Sequence, residues 1–148
     1  MKVDIKILTE ADLYELKDMI SVFQDVFEMK NFVLPDTAHL QNLLAQVSFL
    51  AVIAKYENKV IGGLTVYTLN QYYSVKPLAY IYDLVVMTEF QRKGVGKQLI
   101  EFITDYCKRK GFEEVFVQAD RIDAYALDFY RETNPTNEED VVHFYYSL

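Results

Sequence analysis

A strand pattern from Leu78 to Met87, with a β-branched run from Ile81 to Val86, leads into Gln91-Arg92-Lys93-Gly94-Val95-Gly96, then into a helical pattern to Lys110 and a further strand around Val115 and Val117. This order constrains the fold more than any other feature of the chain. Two strands joined by a helical crossover of about a dozen or more residues pair in parallel, with Gly111 as the helix stop. The loop between strand and helix also has chemical content. Two glycines one residue apart let the backbone bend with its N–H groups facing one locus, and the following helix adds the positive end of its dipole. Arg92, Lys93 and Lys97 supply mobile positive charge there. Residues Arg92 to Lys97 are therefore a candidate seat for a pyrophosphate, with a glycine-containing loop beside a cationic helix start as the alternative.

The remaining elements are mixed. Val3, Ile5 and Ile7 alternate with polar neighbours as a first strand. Thr9 with Asp12 resembles a capping box, ahead of Leu13, Leu16, Ile20, Phe23 and Phe27 at helical spacing. Pro35-Asp36-Thr37 opens a second helix through Leu44. Phe49 to Tyr56 and Val60 to Leu69 flank the turn residues Glu57-Asn58-Lys59 as a β-hairpin, with Gly62-Gly63 marking a bulge or a close backbone approach. Asp123 to Glu132 reads as a short helix, and Val141 to Tyr146 as a strand that closes the sheet. Leu78 to Met87 is expected at the sheet's centre.

At 148 residues the chain is expected to be one domain, residues 1–148, with a core that closes without staples. The formal charge of −7, from 15 basic and 22 acidic residues, disfavours nucleic acid and anionic membranes as partners and suits a small cationic substrate. Cys107 has no partner for an internal disulfide and falls in the apolar rhythm of a helix, so a packed thiol and a cytoplasmic setting are expected. No apolar run is long enough to span a bilayer. His39 and His143 lack metal-ligand companions at useful spacing, and no metal is expected.

Gln91 to Gly96 fills the signature Q/R-x-x-G-x-G/A and so resembles the GNAT acyl-CoA N-acyltransferases. Tyr80-Ile81-Tyr82-Asp83-Leu84-Val85-Val86, then Val117-Gln118-Ala119-Asp120, Tyr130 and Val142-His143-Phe144 are similar in order and spacing to the aminoglycoside 3-N-acetyltransferases. Ala124-Tyr125 and Thr133-Asn134 depart from that branch. The resemblance implies an α/β (α+β) GNAT fold: a mixed, mostly antiparallel sheet with helices on both faces and one parallel strand pair splayed at the acyl-CoA site. It implies acetyl-CoA as acyl donor, held by Leu84, Val85, Val86, Gln91, Arg92, Lys93, Gly94, Val95, Gly96 and Lys97, with further contacts at Asp123, Ala126 and Tyr130. It also implies backbone donors for the oxyanion at Val85 and Val86, Tyr130 as the acid for the departing thiolate, and a homodimer as one expected assembly.

An attacking ammonium must first lose a proton, to a carboxylate or to an ordered water. Asp83 shares a strand face with Val85, and an acid in so apolar a run is costly unless it is paired or used. Asp83 is thus a candidate base and substrate contact, with pairing to a neighbouring cation or tyrosine as the alternative. Asp120, Asp123 and Asp140 are further candidates for holding a cation, against ordinary capping roles for the first two. The activity that the resemblance implies is acetyl transfer to a primary amine, most specifically the 3-amino group of an aminoglycoside. A polyamine, a protein or peptide amine, or a non-catalytic acyl-CoA sensor are the alternatives.

Overall fold

The computed structural model describes all 148 residues, which gather in two compact units, Met1–Gln118 and Ala119–Leu148. The first contains β1 (Asp4–Ile7), α1 (Leu13–Val26), α2 (Thr37–Ala45), β2 (Phe49–Tyr56), β3 (Lys59–Leu69), β4 (Leu78–Val86), a 3₁₀ turn (Thr88–Phe90), α3 (Val95–Arg109) and β5 (Glu114–Val117). The second contains α4 (Ala124–Glu132). The five-stranded sheet runs β1-β2-β3-β4-β5 and is antiparallel throughout except for the β4–β5 pair, which is parallel. The crossover through α3 therefore does what its length requires. It also makes β5 the edge, so that β3 is the middle strand and β4, expected at the centre, lies beside it.

Local chemistry explains the elements. Glu57 and Asn58 both take positive φ, 49° and 63°, as a two-residue type I′ hairpin demands. Asp36 caps α2 by accepting the His39 N–H at 2.9 Å. Asp12 accepts the Thr9 N–H at 2.8 Å, so the expected pairing of these two residues forms, but Asp12 itself is the residue from which α1 starts. Phe27 lies just past the end of α1 and is exposed, while Leu16, Met19, Val22 and Phe23 form the buried stripe.

The two faces of the sheet are covered by different helices. Leu16, Met19, Val22 and Phe23 of α1 and Leu40 and Leu44 of α2 pack with Phe49, Ala51 and Ile53 of β2 and Val85 of β4. The alternate β2 residues Val52 and Ala54 are fully buried on the opposite face. There α3, which contacts β2 to β5, brings Val95, Leu99, Ile103 and Cys107. The Cys107 thiol is buried, and burial pushes its pKa up to about 11, as suits a packed group.

One sequence expectation is corrected, and that for Gly62-Gly63 is met. Val141 to Tyr146 forms no strand, and His143 therefore lies in irregular chain, its ring 6.0 Å from that of Tyr145. Strand propensity describes fit against a neighbouring strand, and this segment has none; Tyr146 is 87% exposed. Gly62 and Gly63 are both in place for close approach. The register shift next to them leaves Ile61 as the extra β3 residue between the Ala54–Gly62 and Lys55–Val60 pairs.

A Cβ on Gly63 would lie 2.6 Å from the Val52 carbonyl oxygen and 2.7 Å from Met19 Sδ. Gly63→Ala is expected to destabilise the protein by about 1–3 kcal/mol, the range for overpacking, read as a lower urea midpoint at unchanged m. Adding Met19→Ala should not restore the midpoint, because the Val52 carbonyl is backbone and cannot move aside.

Candidate active site

The site begins where β4 loses its outer neighbour. Pairing with β5 ends at Ile81–Val117, while β4 continues to Val86. On its other side β4 stays paired with β3, through Gly62–Val86, Gly63–Val85 and Leu64–Leu84, and the Met87 N–H reaches the Ile61 carbonyl at 2.8 Å. Residues along an antiparallel ladder alternate in the direction of their N–H and C=O groups. The Met87 bond thus turns the Val85 amide toward β3 and leaves those of Leu84 and Val86 toward the open side. Gln91 corroborates this: its Nε2 donates to the Val86 carbonyl at 3.0 Å from that side. The resemblance implies outward donors at Val85 and Val86; the register moves the first to Leu84 and gives the Val85 side chain to the core. A Cβ at Gly62 would fall 2.7 Å from the Val85 oxygen, so only glycine lets β3 lie this close to the end of β4.

The turn beyond β4 presents a second set of donors. Arg92 has φ 60° and Gly94 φ 84°, and Gly94 is the residue from which α3 starts. The first N–H bonded within the helix is that of Gln98, to the Gly94 carbonyl at 3.0 Å. The preceding N–H groups of Val95, Gly96 and Lys97 are the unpaired start of a helix, with no side-chain cap and no acid in the first turn. A Cβ on Gly94 would meet only Gln98 Nε2, at 3.9 Å, so the space above this backbone is open. Val95 and Gly96 are buried and anchor the turn, while Lys97 is exposed and Lys93 Nζ lies 5.7 Å from the Phe90 ring centroid. The unpaired N–H groups, the helix dipole and the cationic residues of the same turn, Arg92, Lys93 and Lys97, have the chemistry that suits an anion, and the glycine leaves the backbone accessible.

Asp83 stands on the face shared with α1, as its parity with Val85 requires. The register skips Tyr82 between the Thr65–Asp83 and Val66–Ile81 pairs, so β4 bulges there, and the bulge turns Tyr82 and Asp83 to one face. Asp83 is partly buried, and no neighbouring cation or hydroxyl offsets that burial, which alone raises its carboxyl above the ordinary value. The Thr65 hydroxyl oxygen opposite it is buried without a hydrogen-bond partner. Beside these two runs an aromatic row that the sequence reading missed. Phe49, Tyr67, Tyr80 and Phe116 occupy matching positions on β2, β3, β4 and β5. Its one sequence signal was the Tyr80 and Tyr82 pair next to Asp83.

The other acids are engaged locally. Asp123 starts α4 and accepts the Ala126 N–H at 3.0 Å, which also occupies that amide. Asp120 accepts the Ile122 N–H at 3.2 Å, and Asp140 pairs with Arg121. Tyr130 lies on α4, partly buried, its ring edge-on to Phe129 at 4.9 Å and its carbonyl accepting the Thr133 hydroxyl at 2.6 Å.

Comparison with known proteins matches residues 16–134 to the acetyltransferase (GNAT) family. The chain is 59% identical to the aminoglycoside acetyltransferase meta-AAC0020, from an uncultured soil metagenomic sample, solved with trehalose; 99% of this chain and 96% of that one align, with a TM-score of 0.97. A structure of that protein with sisomicin aligns equally well. A second soil metagenomic aminoglycoside acetyltransferase, HMB0005, is 27% identical over 100% of this chain and 99% of its own, with a TM-score of 0.93. An uncharacterised N-acetyltransferase of Chlorobaculum tepidum is 38% identical over 65 residues, a stretch covering 44% of this chain and only 39% of that relative.

A carboxyl whose folded pKa lies above its unfolded one costs the folded state stability as pH rises through the interval between them, and the loss persists above it. Asp83→Asn is therefore expected to raise the urea midpoint at pH 7. The gain should fade as pH falls toward the ordinary Asp value of 3.8. A midpoint lowered at pH 7 would show that the carboxylate stabilises the free protein.

Proposed function

The chain belongs to the GNAT acetyltransferase family, and on that footing we propose that it moves an acetyl group from acetyl-CoA to the 3-amino group of an aminoglycoside. The observation that carries the donor half is the helix start at Gly94 beside the parted end of β4. The pyrophosphate sits on the N–H groups that follow Gly94, with Arg92, Lys93 and Lys97 around it. The pantetheine runs along Leu84 to Val86, filling the gap that β5 leaves. The outward N–H groups of Leu84 and Val86 hold the thioester carbonyl and the oxyanion that forms on it. Tyr130 protonates the departing thiolate.

The acceptor half rests on Asp83, with the 59% identical aminoglycoside acetyltransferase in support. A carboxylate without a protein cation is a natural partner for the substrate ammonium, and its raised pKa makes it a better proton acceptor than an ordinary aspartate. Asp83, or a water held by it, takes the proton from the amine, which then attacks the thioester. Asp120, Asp123 and Asp140 are exposed and add attraction for a polycation, although each is committed to a local contact. The whole chain, 1–148, serves as one acetyltransferase domain.

Gly94→Asn and Gly94→Val separate backbone strain from blocked access, because Asn tolerates positive φ and valine does not. Both are expected to weaken acetyl-CoA binding by about tenfold or more in calorimetry, with only Gly94→Val also losing stability. Unchanged affinity in a folded Gly94→Asn protein would move the pyrophosphate elsewhere.

Thiol release from acetyl-CoA should be fast with sisomicin, slower with spermidine and slowest with a lysine-containing peptide, with NMR of the product placing the acetyl group on the 3-amine. Tyr130→Phe should lower kcat by about 10² or more at unchanged acetyl-CoA affinity. Asp83→Asn should cost more turnover than Asp120→Asn or Asp123→Asn. A preference for the peptide, or an Asp83→Asn enzyme as fast as the wild type, would overturn the acceptor assignment.

A further inference from the structure

Five aromatic side chains form one patch on the sheet face that carries Asp83. Phe49, at the α2 end, is buried and packs against Tyr67 at 5.4 Å. Toward the sheet edge the row becomes accessible. Tyr80 stacks flat on Phe116, with centroids 4.7 Å apart and planes within 8°, and its hydroxyl donates to Gln118 at 3.0 Å. Tyr82, the bulge residue, stands edge-on to Tyr67 at 5.8 Å and to Tyr80 at 5.9 Å. It is nevertheless 58% exposed, and Tyr67 is 37% exposed. These rings are braced by one another and by a side-chain hydrogen bond, yet keep area open to solvent. At the inner end of the patch lie two polar groups with no hydrogen-bonding partner in the protein, the Asp83 carboxylate and the Thr65 hydroxyl.

We propose that this shelf of Tyr67, Tyr80 and Tyr82 is a specificity platform for a sugar ring of the acceptor, taking the ring next to the one being acetylated. The proposal rests on the aminoglycoside reading above. A pyranose ring has a C–H face that packs on an aromatic plane, and an amino sugar adds an ammonium that the ring's negative face attracts. Asp83 at the end of the shelf attracts the amine to be acetylated, so the tyrosines and the carboxylate together measure the distance between one sugar ring and a reactive nitrogen. A linear polyamine can satisfy Asp83 but covers the shelf poorly. The platform therefore favours multi-ring cationic acceptors, and the preformed rings lower the ordering cost of binding.

The test compares Tyr82→Ala and Tyr82→Phe with wild type, using sisomicin and the single-ring amine 2-deoxystreptamine. Tyr82→Ala is expected to raise KM for sisomicin by about five- to thirtyfold, with kcat and the KM for acetyl-CoA little changed. KM for 2-deoxystreptamine should be nearly unaffected, and Tyr82→Phe should retain most of the sisomicin affinity. Calorimetric titration of sisomicin into the acetyl-CoA-free protein should show the same loss in Tyr82→Ala. If the wild type turns over no aminoglycoside, the acceptor assignment fails and takes the platform with it. If the wild type acetylates sisomicin and Tyr82→Ala matches its KM, or raises KM equally for both amines, the platform alone is overturned.

Discussion

The end of hydrogen bonding between β4 and β5 after the Ile81–Val117 pair is the constraint on which the rest of the structure depends. A strand flanked on both sides has no backbone groups left for a ligand. Between Tyr82 and Val86, β4 is held by β3 alone, and ladder alternation sends the Leu84 and Val86 amides into the gap. The Gln91 side chain satisfies the Val86 carbonyl and fixes the following turn to the same place. Backbone donors on the strand and on the helix start are thus positioned by one continuous run of chain.

Three glycines make this arrangement possible, for different reasons. Gly63 lets α1 and β2 close on the middle strand, since a Cβ would collide with Met19 and the Val52 carbonyl. Gly62 does the same against the Val85 carbonyl, at the level where β4 must stay tight to β3 while its other edge is open. Gly94 has room for a side chain but not the backbone for one, because its φ of 84° is left-handed. Packing density thus decides the first two, and conformation the third.

Electrostatics single out Asp83 among the acids near the motifs. Asp120, Asp123 and Asp140 each have a local amide or guanidinium partner, which is what surface aspartates beside turns and helix starts ordinarily find. Asp83 has burial without compensation. The β4 bulge produces this, because skipping Tyr82 places an acid and an aromatic side by side over the sheet where alternation would have sent them to opposite faces. Partial burial of an acid without a partner costs the folded protein stability wherever the carboxyl is ionised.

The elements of the first unit, the helix start at Pro35-Asp36-Thr37, the stop at Gly111 and the Gly94 turn are legible in the chain, because periodicity, turn chemistry and helix-start preference act over a few residues. The parallel pairing of β4 with β5 was also determined by sequence, since the crossover length leaves no other simple connection. Val141 to Tyr146 was misread because β-branched and aromatic residues report compatibility with a strand, not the presence of a partner. The direction of the Leu84 and Val86 amides, the place of β4 beside the middle strand and the aromatic row across β2 to β5 were decided only by tertiary structure. Register and bulges set them, and these arise from contacts between strands far apart in the chain, which local pattern does not encode.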